Sequence, residues 1–141
     1  MPEPLTSTVT TRVTKADRAE LDQLAHDRSA EPLALARTLL REGVRRERHP
    51  GITFRDVRGE RRASVEGRRI DVWQVMETLW SSDGSVEDAA SSLDLTPVQV
   101  RAALGYYAAY PEEIDEVVER NREMAVRLEE HWRREQASLR R

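Results

Sequence analysis

The chain opens its patterned part with strict alternation. Ser7, Val9, Thr11 and Val13 interleave with Thr8, Thr10, Arg12 and Thr14, a period of two in a β-branched run that predicts a strand with one apolar and one polar face. Thr14, with Asp17 three positions on, is a helix-start signal. Leu21, Leu24 and Ala25 then recur at helical spacing to about Arg28, so a helix is expected there. Ser29 is expected to cap a second helix, with Pro32 in its first turn and Leu33, Ala36, Leu39, Leu40 and Val44 as its apolar stripe. Residues 1–5, with Pro2 and Pro4, read as a disordered lead.

His49, Pro50 and Gly51 interrupt this pattern and mark a boundary. Ile52–Phe54 and Ala63–Val65 read as two short strands around a polar loop, and three helices should follow: Asp71–Trp80, Ser85–Ser92 and one starting at Thr96. Thr96, Pro97 and Gln99 form the strongest helix start in the chain, and Val100, Ala103, Leu104 and Tyr107 line one face behind it. Pro111 closes that helix and opens a long one whose stripe runs through Ile114, Val117, Val118, Asn121, Met124, Leu128 and Trp132. The fold is therefore expected to be mainly α. Residues 6–48 form one domain, residues 49–120 a hairpin with a helix-turn-helix-like bundle, and residues 121–141 a charged amphipathic tail.

Composition narrows the function. With 141 residues the chain can bury only modest cores. It has no cysteine, which removes disulfide and thiolate-metal chemistry. No stretch resembles a membrane span or a secretory leader, so a cytoplasmic location with no membrane partner is expected. His26, His49 and His131 lack metal-ligand spacing, and no nucleophile constellation or phosphate-binding glycine loop is present. These features predict a protein that is not an enzyme and carries no cofactor or metal.

The net charge of -3 hides an asymmetry. Residues 37–69 carry eleven basic and five acidic groups, whereas residues 70–141 carry eight and fifteen. The basic island can face phosphates, because guanidinium groups pair with phosphate oxygens and release counterions. A solvated surface in a chain that simply uses Arg instead of Lys is the alternative, since Lys15 is the only lysine.

A lone strand before two helices cannot satisfy its own backbone hydrogen bonds. Pairing with the same strand of a second copy would give a two-fold ribbon, with Val9, Thr11 and Val13 against the helices and Thr8, Thr10 and Arg12 outward. Such a ribbon fits the major groove of double-stranded DNA, where hydroxyls bond either base type and Arg grips guanine. Pairing with the 52–65 hairpin inside one chain is the competing arrangement.

The alternating strand ending in Arg12 and Val13, the Thr14 cap, Leu21, Asp22, Leu24, and the Ser29 helix with Leu39 together resemble the ribbon-helix-helix family of bacterial repressors. That resemblance implies a homodimer or higher even oligomer. It also implies base contacts from Thr8, Thr10 and Arg12 and a phosphate clamp at the Ser29 and Ala30 backbone amides.

Residues 49–120 are similar to the bacterial family known as domain of unknown function 433. The similarity rests on His49-Pro50-Gly51, Gly67-Arg68-Arg69-Ile70, Val72-Trp73, Ser85-Val86-Glu87, Leu95-Thr96, Val100 to Leu104, Tyr106-Tyr107 and Pro111 to Ile114. It implies a homeodomain-like helical unit and an antitoxin partnered by a nuclease-like toxin.

Met124, Leu128 and Trp132 are the candidate toxin-binding stripe, because an amphipathic helix with a Trp anchor suits an apolar groove. Glu116, Glu119, Glu123, Glu129 and Glu130 would suit a basic surface. The same stripe can instead pack on its own domain or on a dimer mate. The outward face of the helix after Thr96 offers Gln99 and Arg101 and little other positive charge, which favours packing or partner binding over groove insertion. The sequence thus points to an operator-binding, autorepressing antitoxin. A regulator without a toxin, its C-terminal unit used for oligomerisation or sensing, and an adaptor that binds no DNA are the other readings.

Overall fold

The computed structural model describes residues 3–140, so the Met1 and Pro2 part of the expected lead and Arg141 of the tail lie outside the described residues. Six helices and one antiparallel two-stranded sheet follow in the order α1 (Lys15–Asp27), α2 (Pro32–Arg48), β1 (Ile52–Val57), β2 (Glu60–Val65), α3 (Val72–Ser81), α4 (Val86–Leu93), α5 (Pro97–Ala109) and α6 (Pro111–Leu139). The described chain divides into two compact units between Gly43 and Val44. That division falls inside α2, five residues ahead of the sequence boundary at His49. No described helix is long and apolar enough to cross a membrane.

Local chemistry sets the helix starts. Thr14 Oγ1 accepts from the Asp17 amide at 3.0 Å and opens α1. Ser85 Oγ accepts from the Asp88 amide at 3.2 Å and opens α4. At α5 the cap is reciprocal: Thr96 Oγ1 accepts from the Gln99 amide at 3.2 Å, and the Thr96 amide donates to Gln99 Oε1 at 2.9 Å. Each cap satisfies a donor that the first helical turn leaves without an intrahelical partner. Pro111 starts α6, where its missing N–H costs nothing. The helix then runs unbroken to Leu139, so the expected division at residues 120 and 121 is not a break in structure.

Unit 2 is built around the hairpin. Its register pairs Ile52 with Val65 and Val57 with Glu60, so the strands are longer than the apolar triplets suggested. The expected loop from Arg55 to Arg62 is mostly ladder, reversed by Arg58 at φ 54° and Gly59 at φ 83°. Two successive left-handed residues make the tight turn whose twist matches that of the flanking strands.

Ile52, Val65, Val72, Val75, Met76, Ala89, Val100, Ala103 and Tyr106 then close one core with Ile114 and Val118 of α6. Gly51 sits at φ 90°, and a Cβ there would lie 3.3 Å from the Ala102 Cβ, so both its backbone and its close approach to α5 favour glycine.

Two polar clusters tie this core together. Asp71, 2% exposed, receives Arg55 Nε at 2.6 Å and Trp73 Nε1 at 3.2 Å. Tyr106, fully buried, donates to Glu113 at 2.6 Å and accepts from Arg45 Nη1 at 2.8 Å. The Arg45 guanidinium lies 3.9 Å from the Tyr110 ring centroid, and His49 meets both Tyr106 and Tyr110 edge-on. Burial, then the hydrogen bond to Glu113, push the Tyr106 phenol far above its ordinary titration range.

Unit 1 is different in kind. α1 and α2 bury only Ala25 and Leu35 among their apolar side chains. Leu33 and Leu40 of the expected α2 stripe are more than half exposed.

Candidate nucleic-acid interface

Thr8, Thr10 and Arg12 sit in an extended segment that makes no strand within the chain, and every residue from 3 to 20 is exposed. The expected strand over Ser7–Val13 is therefore absent from the single chain, because no second strand is there to pair with it. The intrachain alternative is not adopted either. β1 and β2 pair with each other as a two-stranded sheet, with one isolated bridge between Ser64 and Asp71. Val9 is 77% and Val13 59% exposed. Thr11, the third expected ribbon-core position, is exposed with them. Between residues 3–7 and the α2 face of Ala34, Arg37, Thr38 and Arg41 lies an open cleft of about 870 Å³.

Arg12 has no carboxylate within ion-pairing distance among the described residues, so its guanidinium is available. Arg45, by contrast, is turned inward. The basic island divides in the same way: Arg45, Arg46, Arg55, Arg62 and Arg68 are ion-paired to Glu113, Glu66, Asp71, Glu60 and Asp94. Five of the eleven arginines between residues 37 and 69 thus have carboxylate partners within unit 2, those of Arg45, Arg55 and Arg62 the less exposed ones. Sequence counting could not separate structural arginines from available ones.

The expected phosphate clamp requires correction. Ser29 is not the cap of α2. It lies at φ 51° and closes α1, its amide donating to His26 O at 3.1 Å while the Ala30 amide donates to Ala25 O at 2.8 Å. Both amides are engaged by orphan carbonyls of α1, a closure typical of helix C-termini. The cap is Glu31, whose carboxylate accepts from the Leu33 amide at 3.0 Å and the Ala34 amide at 2.7 Å. Those two hydrogen bonds, Leu33 first, hold the Glu31 carboxyl below the usual carboxylate range. The chain places its own anion where a phosphate was expected.

In unit 2, α4 and α5 are joined by a short turn in which Asp94 sits at φ 53°. The outward face of α5 carries Val98, 73% exposed, then Arg101, Gly105 and Ala108. Its one cation, Arg101, lies 3.8 Å from Glu87. This face therefore carries a single cation, and a carboxylate stands beside it.

Met124, Leu128 and Trp132 share a side of α6 and are 52, 65 and 58% exposed. The acidic excess of α6 lies in its first part, with Glu112, Glu113, Asp115, Glu116 and Glu119; between Asn121 and Glu135 four arginines match four glutamates. Among the described residues, no three His, Asp or Glu side chains converge to hold a metal ion. A groove of about 130 Å³ between β2 and α6 is lined by Glu60, Arg62, Trp73, Glu113 and Arg120 and mixes both charges. Compared with known proteins, the chain matches no family model, no curated protein and no solved structure.

Proposed function

We propose that the chain is a dimeric DNA-binding autorepressor of the antitoxin type, reading its operator with unit 1 and holding a nuclease-like protein with unit 2. One observation carries the DNA-binding half: an alternating β-branched segment stands fully exposed beside two helices that bury almost nothing, with an open cleft along α2. Two copies pairing Ser7–Val13 antiparallel would satisfy both backbones and cover Val9 and Val13, each such side chain contributing roughly 1.5–3 kcal/mol on full burial. Thr8, Thr10 and the available Arg12 would then form the outward face, with Arg37 and Arg41 as further unit 1 cations that form no ion pair among the described residues. The toxin partner rests on the family resemblance of residues 49–120.

The test is a gel-shift titration on the chain's own upstream DNA across a salt series. Binding should weaken steeply with salt, and Arg12→Ala should cost about 1–3 kcal/mol and relax one base preference. Salt-independent binding, or an Arg12→Ala protein with wild-type affinity, removes the ribbon from the account. Co-expression with the product of the adjacent gene tests the second half: co-purification of a nuclease-like protein supports it, and failure to co-purify one returns the chain to a regulator without a toxin.

A further inference from the structure

The buried stripe of α6 ends at Val118, yet the helix continues to Leu139. Beyond that point the same side of the helix reads Asn121, Met124, Ala125, Leu128, His131, Trp132 and Glu135. These positions are symmetric about Leu128. A polar residue stands two turns away on each side, a bulky one at four residues, and Ala or His at three.

We infer that this segment pairs antiparallel with the same segment of a second copy, centred on Leu128. In such packing each knob enters a hole formed by four residues of the facing helix. Trp132 enters the hole made by the partner's Asn121, Met124, Ala125 and Leu128, and the two-fold axis repeats the insertion. Ala125 leaves room for the indole, and the Met124 thioether lies against it, a favourable sulfur–aromatic contact. The seam spans fifteen residues, about 22 Å at the helical rise.

Two features favour a second copy in this orientation. Positive and negative side chains are equal in number from Asn121 to Glu135, so the segment complements itself better than it complements a strongly basic or acidic surface. Parallel pairing in register would also set Glu135 against Glu135. Antiparallel pairing brings Glu135, whose Oε1 lies 3.2 Å from His131 Nδ1, to the partner's Asn121. The Asn121 Nδ2 donates to Val117 O at 2.8 Å and has a second N–H to offer a carboxylate.

The absence of cysteine makes the test direct. Under mild oxidation of the full chain, Leu128→Cys should form a disulfide-linked dimer. A mixture of Asn121→Cys and Glu135→Cys chains should cross-link to each other, whereas Glu135→Cys alone should not. Trp132→Glu should weaken the Leu128→Cys cross-link at least about tenfold while helix content is retained. A cross-link from Glu135→Cys alone, or none from any variant, overturns the pairing. So does a Trp132→Glu chain that keeps its self-association but releases a co-purified nuclease-like protein, since the stripe then belongs to that protein. Arg12→Ala should leave the cross-link intact, which separates failure here from failure of DNA reading.

Discussion

The two units solve the problem of a small core in opposite ways. Unit 2 wraps a hairpin and helices α3 to α6 around Tyr106, Met76 and five fully buried aliphatic and small side chains of α3, α4 and α5, and it binds its charges to one another. Unit 1 has α1, most of α2 and an alternating segment of ordinary hydrophobic pattern, yet Val9, Val13, Leu33 and Leu40 are all more than half exposed. Patterning alone does not make a core; something must cover it. Where one chain supplies both sides, the pattern closes on itself. Where it supplies one side, the stability of that part becomes a property of the assembly and varies with concentration.

The sharpest way to break this comparison is to damage each unit in turn. Met76, 1% exposed in the unit 2 core, should cost about 2–5 kcal/mol when changed to Ala, read as a fall in the urea midpoint at a fixed protein concentration. Val9→Asp should leave that transition in place and abolish self-association through unit 1. If Val9→Asp lowers the unit 2 transition as much as Met76→Ala does, the two units are not energetically distinct.

Tyr106→Phe comes next. It removes one hydroxyl from a buried cluster and leaves Arg45 and Glu113 without their shared partner, an expected loss of about 1–3 kcal/mol. It also has a pH signature. Burial, then the Glu113 hydrogen bond, raise the folded phenol well above its ordinary value of 10.0. The folded state therefore binds that proton more tightly than the unfolded state. The stabilisation is fully present below pH 10 and is lost as pH rises beyond it. Thermal melts between pH 9 and 11 should show a falling midpoint in the wild type and a flatter one in Tyr106→Phe. Equal slopes would mean that the cluster does not hold the proton.

The helix caps give a smaller contrast. Thr96→Ala should cost about 1 kcal/mol in unit 2. Ser29→Gly should instead stabilise unit 1 slightly, because glycine accepts the left-handed backbone at φ 51° without the Cβ penalty. A destabilised Ser29→Gly chain would restore Ser29 as a side-chain cap.

That contrast also marks where the sequence was legible. Thr14, Ser85, Thr96 and Pro111 act on amides within their own first turns, so residue type and spacing were enough to locate four helix starts. Ser29 has the right chemistry for a cap, but the closure of α1 decides its backbone, and the acceptor two residues on, Glu31, takes the role. The hairpin core was visible in Ile52–Phe54 and Ala63–Val65. Its outer rungs were not, because Arg55–Arg62 and Asp56–Arg61 pairs carry polar side chains that read locally as loop. Arg45, Tyr106 and Glu113 lie up to 68 residues apart, and no local pattern links them. For the candidate interface, residue counts along the chain could not show that Arg45, Arg46, Arg55, Arg62 and Arg68 of the basic island have carboxylate partners.

The last and smallest effect concerns the start of α2, where unit 1 keeps a carboxylate over its own helix N-terminus. Glu31 occupies the Leu33 and Ala34 amides, so an approaching phosphate meets both a filled donor pair and a negative charge. Glu31→Ala should free those donors and remove that repulsion, which favours anions at this end of the helix. Operator affinity should rise a few-fold at low salt, with the gain fading as salt screens it. The same substitution should leave the unit 2 transition unmoved. A Glu31→Ala affinity equal to that of the wild type at every salt concentration would mean that DNA does not approach α2 by its first turn, and the phosphate contacts of unit 1 would then fall to arginines such as Arg12, Arg37 and Arg41.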